Sequence, residues 1–286
     1  MINPILEREL KTRMRTWKTP IMLMIYLIII GIVVALFFVI NEQRNRYGYG
    51  GGGTFDPTIA IRIYNLIVIG QFIILMLVLP AFTATAISGE RERQTLDLML
   101  CTDLSPWKII SGKITAALSF VFLLIIASSP FMSIVFLFGG ITMWEIVKVI
   151  LFYMITSVLV SCIGLYCSTR FKRVVTSIII TYLIMGVLFV GTLIAYGVFM
   201  MVMSSRQNVD FITKYSYEIL LAFLGPNPGF GLASFYLGDY LSVSYWLNIS
   251  TGTFKAVQPW MISVAFDVVV SAILVVLTKL RLTKIR

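Results

Sequence analysis

Residues 57–100 read "PTIAIRIYNLIVIGQFIILMLVLPAFTATAISGERERQTLDLML": no charge stands between Arg62 and Glu90, and then Glu90, Arg91, Glu92 and Arg93 alternate in sign. At 1.5 Å per residue, about 20 apolar residues in a helix cross the roughly 30 Å hydrocarbon core of a bilayer. An uncharged run of this length reads as a membrane-crossing helix, and the charges mark where it leaves the lipid. Working outward, the pattern recurs. The 286 residues are 59% hydrophobic and only 13% charged, which overrules the one or two soluble domains that length alone suggests.

The expected fold is an all-α membrane protein with six transmembrane helices, at about 20–40, 58–88, 113–138, 145–169, 174–203 and 258–280. The first run follows a basic segment, as a signal peptide would. It is too long for that and lacks a small-x-small cleavage site, so it reads as a retained helix. Of the 23 Lys and Arg, most fall on one side. That side holds Arg8, Lys11, Arg13, Arg15, Lys18, Arg91, Arg93, Lys108, Lys113, Arg170, Lys172, Arg173, Lys279, Arg281, Lys284 and Arg286. The other side holds Arg44, Arg46, Arg62, Lys148, Arg206, Lys214 and Lys255. The positive-inside rule then puts both termini in the cytoplasm of a multi-pass protein, expected in a plasma membrane, and the small, basic, histidine-free composition suggests a bacterial origin. The basic excess orients the chain against lipid, so nucleic acid is not an expected partner.

Residues 1–19 are expected to form an amphipathic interfacial helix. Leu6, Leu10, Met14 and Trp17 recur at helical spacing while Glu7, Arg8, Lys11, Arg15 and Lys18 lie elsewhere on the wheel. Glu7–Lys11 is a favourable i,i+4 pair. The rest, 20–286, is the membrane domain. Its first outer connection, Asn41 to Phe55 with "YGYGGGGT", reads as a flexible tether. The last, 204–257, reads as a re-entrant helical hairpin before the final span. A helix over 210–224 is stopped by Gly225-Pro226, and Asn227-Pro228 caps a second one. Phe223, Pro226, Pro228, Phe235 and Tyr236 are candidates for an outer gate, and interfacial anchoring accounts for the aromatics equally well.

Several chemistries are excluded. Cys101, Cys162 and Cys167 have no paired or zinc-like spacing. There is no histidine, no metal site is expected and no catalytic residue is assigned. No G-x-x-x-x-G-K-[ST] phosphate loop exists, since Gly112-Lys113 continues into isoleucine. One acid, Asp267, lies near mid-depth of the last span, where a charge costs roughly 2.5–3.5 kcal/mol on insertion scales. A pathway contact with a polar or cationic substrate and an interhelical hydrogen bond both fit it.

The charged loop over 89–102 has a helical pattern, with Leu96, Met99 and Leu100 as an apolar ridge rimmed by charge. That suits docking into a groove on a soluble protein; a solvated loop helix fits the periodicity as well. "SGERERQTLDLMLCTDLSPWKIISGKITAAL", residues 88–118, resembles the first cytoplasmic loop of ABC-2 type permeases, the membrane subunits of ATP-binding-cassette exporters. Gly89, Glu90, Arg91, Glu92, Thr95, Leu96, Leu98, Leu100, Thr102, Ser105, Ile109, Gly112 and Lys113 match the family pattern, with Asp97 for a glutamate. Gln94 stands where glycine is usual and Asp103 where proline is common. "NPILERELKTRMR" also resembles the family's amino-terminal interfacial helix.

The resemblance implies that 89–102 is the coupling helix, and that Glu90, Arg91, Glu92, Arg93, Leu96, Asp97, Met99 and Leu100 meet a cytosolic ABC ATPase subunit. Two copies of that subunit per complex would bind ATP and Mg, and this chain would hold no cofactor of its own. It implies a second permease chain, as a homo- or heterodimer. The family's cargoes include lipids, polysaccharides, drugs and peptides. The apolar spans suit a hydrophobic or amphipathic cargo, an amphipathic peptide such as a toxin or antimicrobial peptide before a lipid or small drug. A motor-independent secondary transporter using Asp267 is the competing expectation. An intramembrane enzyme is a third.

Overall fold

A computed structural model describes residues 7–9, 11, 17–47, 57–96, 105–137, 141–205, 218–240 and 258–285. These are helical with short turns, and no strand occurs among them. The helices are α1 (Lys18–Tyr47), α2 (Pro57–Ala84), α3 (Ser88–Glu92), α4 (Pro106–Leu137) and α5 (Met143–Arg170). They continue with α6 (Val174–Gly186), a π-helical segment (Val187–Gly191), α7 (Thr192–Ser205), α8 (Pro228–Tyr240) and α9 (Pro259–Ile285). Six helices are long and apolar enough to cross a membrane, α6, the π segment and α7 together counting as the fifth. This is a multi-pass membrane protein.

The ends of these helices differ from those expected, because an apolar run and a helix stop for different reasons. α1 continues to Tyr47 through polar residues that sit well in a helix but not in lipid, so part of the expected tether is helical; 48–56 lie outside the described residues. α4 starts at Pro106, not at 113, since proline's missing N–H and fixed φ suit the first helical position. α5 starts at Met143 because Thr142 and Glu145 form a reciprocal capping box: the Thr142 N–H donates to Glu145 Oε2 at 3.0 Å, and the Glu145 N–H to Thr142 Oγ1 at 3.4 Å. α2 ends at Ala84, short of 88, and its 28 residues still make about 42 Å of helix.

The chain forms two compact units, residues 1–79 with 107–157, and residues 80–106 with 158–286. Lipid is as apolar as leucine, so burying apolar surface gains little here; close packing and interhelical hydrogen bonds, each worth about 1 kcal/mol, select the arrangement. In the first unit α1 buries Tyr26, Ile30 and Val34, and α2 buries Ile63, Ile67, Val68, Phe72 and Leu75. Tyr153 of α5 donates its hydroxyl to the Val68 carbonyl at 2.7 Å, and its ring stacks on Phe72 at 6.1 Å. The amino-terminal segment joins this unit by an ion pair, Glu9 to Lys113 of α4 at 3.0 Å, with the Lys113 side chain only 2% exposed.

In the second unit the last turn of α2 lies directly on α5. A Cβ on Gly164 would stand 2.0 Å from Thr83 Oγ1, so only glycine permits that approach. Downstream, residues 218–224 are helical, the chain turns at Gly225-Pro226, and α8 follows. Gly225 serves the turn by close approach as well: a Cβ there would be 2.3 Å from the Leu221 carbonyl oxygen.

Candidate functional site

The charged loop does not hang from the membrane domain. After Ala84 the chain makes one turn, and Ile87 and Ser88, both fully buried, open α3. Their backbone N–H groups have no acceptor within so short a helix, and both donate to Ser168 Oγ near the end of α5, each at 2.8 Å. The Ala84 carbonyl accepts from Ser88 Oγ at 2.9 Å and from Ser177 Oγ of α6 at 2.8 Å. At the far end of α3, Glu92 accepts the Val174 N–H at 2.7 Å. Val174 is the first residue of α6, whose own N-cap, Arg173, supplies no side-chain cap. A carboxylate at this place satisfies an orphan donor and complements the helix dipole.

The expected single helix over 89–102 is interrupted. Thr95 N–H donates to the Glu90 carbonyl at 2.9 Å and Gln94 N–H to the Arg91 carbonyl at 3.1 Å, the paired bonds of a Schellman motif. Gln94 is left-handed, with φ 58°, the only positive φ outside glycine among the described residues. This is the position where the resembled family carries glycine. The reversal carries Leu96 back into the protein, where it is 3% exposed. Leu96 is thus buried within this chain, and Glu92, though exposed, caps α6 with one of its oxygens. Of the remaining loop residues, Arg93 is exposed and Glu90 and Arg91 are half-buried, while Asp97, Met99 and Leu100 lie outside the described residues.

At the amino terminus, residues 7–9 and 11 are helical, and Leu6, Leu10 and Met14 fall outside the described residues. Lys11 bonds Glu7 at 2.6 Å; that bond and then the ammonium charge hold the Glu7 carboxyl below its usual range. Trp17 is 81% exposed.

The second unit has another polar centre, around Asn227. Its Oδ1 accepts the Gly229 N–H at 2.8 Å and the Phe230 N–H at 3.3 Å, which caps α8. Its Nδ2 donates to the Phe189 carbonyl inside the π segment and to Thr192 Oγ1, both at 2.8 Å. Ser263 of α9 donates to the Gly225 carbonyl at 2.6 Å. One turn further along α9 stands Asp267, fully buried on a face it shares with Ser263, Ser271 and Thr278. Phe223 packs on Phe199 of α7 at 5.1 Å, and Phe235 stacks on Trp260 of α9 at 5.2 Å. Pro228 is buried and Pro226 half-buried, and the Tyr236 side chain lies outside the description.

No protein-family model matches the chain, and neither does any curated protein. The functional reading rests on these residues. Those that sequence reasoning missed are Ser168, Ser177, Asn227 as more than a cap, and Ser263. Only the last gave a signal, its i,i+4 spacing to Asp267. No group of three or more His, Cys, Asp or Glu among the described residues is placed to hold a metal ion.

Proposed function

We propose that this chain is the membrane subunit of an ABC-type exporter, with the loop at Glu90–Arg93 as the handle grasped by a separate ATPase. The observation that carries the reading is the bonding of α3 at both ends, to Ser168 of α5 and, through Glu92, to Val174 of α6. A solvated loop has no need of such ties, whereas a loop that transmits force must be fixed to the helices it moves. Arg93, with Glu90 and Arg91, supplies the docking charges. ATP and Mg would be bound by the partner, and a second permease chain would complete the pathway. The apolar spans favour a hydrophobic or amphipathic cargo, an amphipathic peptide first. The competing reading, a motor-independent transporter using Asp267, draws on that acid's complete burial.

The test is a pull-down of the tagged full-length protein from its native membrane, followed by an ATPase assay. It is repeated on an Arg91→Glu, Arg93→Glu double variant. A co-purifying ATPase that the variant loses supports the reading. An intact protein that brings down no nucleotide-binding subunit overturns it, and gradient-driven uptake in an Asp267→Asn variant becomes the next assay.

A further inference from the structure

The fifth span contains five π-helical residues, Val187–Gly191, and none of them is buried. The wide turn is therefore not enclosed in the core of the protein. π segments are rare, and as single turns inside α-helices they gather at functional positions. What meets this one is the tip of the hairpin. Asn227 gives one amide proton to the Phe189 carbonyl and the other to Thr192 Oγ1. Thr192 itself donates back to the Leu188 carbonyl at 2.9 Å and leans on the Phe189 carbonyl at 3.3 Å. The amide orientation is dictated by its surroundings: Oδ1 faces the Gly229 N–H, so both protons must face the π segment. The backbone of the same turn is held from α9, where Ser263 Oγ reaches the carbonyls of Gly225 at 2.6 Å and Asn227 at 3.3 Å. One side chain thus caps α8 and donates to a carbonyl within the wide turn.

We propose that Asn227 is a latch holding the fifth span in its π form, and that withdrawal of the hairpin tip lets 187–191 rewind to α-helix. A π turn takes up one more residue than an α turn. Rewinding it with the same number of residues shifts the phase of everything beyond by one residue, about 100°. α7 would turn by that angle. Phe199, now packed on Phe223 at 5.1 Å, would leave its partner, so the hairpin and α7 change state together. The inference concerns the helix itself and does not depend on the transport reading.

The experiment uses the full-length protein in lipid nanodiscs with Cys101, Cys162 and Cys167 replaced by serine. Single spin labels are placed at each of residues 193–202, and oxygen accessibility is read by electron paramagnetic resonance. With Asn227 present, the accessible labels should follow the exposed positions Leu193, Ile194, Val198 and Met201. Asn227→Ser keeps an N-cap oxygen for α8 but is too short to reach Phe189. It should shift the phase of the accessibility pattern by about 100°, and deleting Val190 in the same background should restore the original phase. Asn227→Ala serves as the second variant if the first does not fold. An unchanged phase in either variant, or a shift that the deletion does not reverse, overturns the latch.

Discussion

Replacing Glu92 by alanine should cost about 1–2 kcal/mol. An N-cap acceptor is worth about 1 kcal/mol, and a negative charge against a helix N-terminus adds roughly 0.3–1. The 2.7 Å distance to the Val174 N–H puts this bond among the short, charge-assisted ones. For a chain of this size 1 kcal/mol moves the melting temperature by roughly 2–4 °C. The attribution can be isolated by removing the donor instead of the acceptor. Val174 is the first residue of α6, where proline is welcome, and Arg173 before it is already extended at φ −93°, ψ 134°, as a residue preceding proline must be. Val174→Pro deletes the N–H and should leave the helix intact. In that background Glu92→Ala should cost only the roughly 0.3–1 kcal/mol of the charge against the helix N-terminus, giving a coupling energy of about 1 kcal/mol in the double-mutant cycle. The assay is thermal unfolding of the four proteins in one detergent. If Glu92→Ala is as costly in the Val174→Pro background as in the parent protein, the carboxylate does not cap α6 and the reasoning fails. The same variants separate two roles in any ATPase complex. A Glu92 that touches the ATPase directly is harmed only by Glu92→Ala. A Glu92 that ties the loop to α6 loses coupling in both single variants.

Gln94→Gly should stabilise the protein. A left-handed residue with a side chain costs about 1–2 kcal/mol, and glycine's extra freedom in the unfolded chain returns about 0.4–1 of that. A rise in melting temperature of a few degrees is expected, and none would mean the loop does not reverse at this residue. Gly164→Ala should destabilise at the upper end of the roughly 1–3 kcal/mol of an overpacked site, since its Cβ would meet Thr83 Oγ1 at 2.0 Å and Thr83 Cβ at 2.7 Å. Adding Thr83→Ala removes the first overlap but not the second, so thermal unfolding should show partial rescue.

Much of the architecture was legible in the sequence because lipid makes one demand that dominates all others: long uncharged runs in which the backbone bonds to itself. Turn chemistry was legible for a similar local reason, as at Gly225-Pro226 and Asn227-Pro228. The start of the loop at 89–102 differs from an ideal helical wheel, whereas Met99 and Leu100 of the expected ridge lie outside the described residues. The chain reverses at Gln94, a residue that carries no glycine signal, so α3 stops after Glu92 and helix resumes only at Leu96. Glu92 looked like a docking charge because its acceptor role is satisfied by a backbone N–H more than 80 residues away. Ser168 was invisible for the same reason: a serine in an apolar span is ordinary until two distant N–H groups arrive at its oxygen. The π segment could not be read at all, since Val-Leu-Phe-Val-Gly has the composition of the α-helix on either side.

These misses share a physical origin that bears on function. A backbone polar group without a partner is costly, most of all in lipid, so a break in a helix is closed by other groups, often a side chain from elsewhere. In the second unit the starts of α3, α6 and α8 and the π turn are met by side chains of Ser168, Glu92 and Asn227. α6 is the regular stretch between the Glu92 cap and the π turn, 13 residues or about 20 Å of helix. Each of its ends is therefore met by a side chain from another element, α3 on one side and the turn at 225–227 on the other. A helix held only by apolar packing in lipid is positioned by van der Waals fit alone. One held at both ends by charge-assisted or amide hydrogen bonds moves with its holders or not at all, and this is the arrangement a membrane helix needs if a displacement at the loop is to be felt at the hairpin.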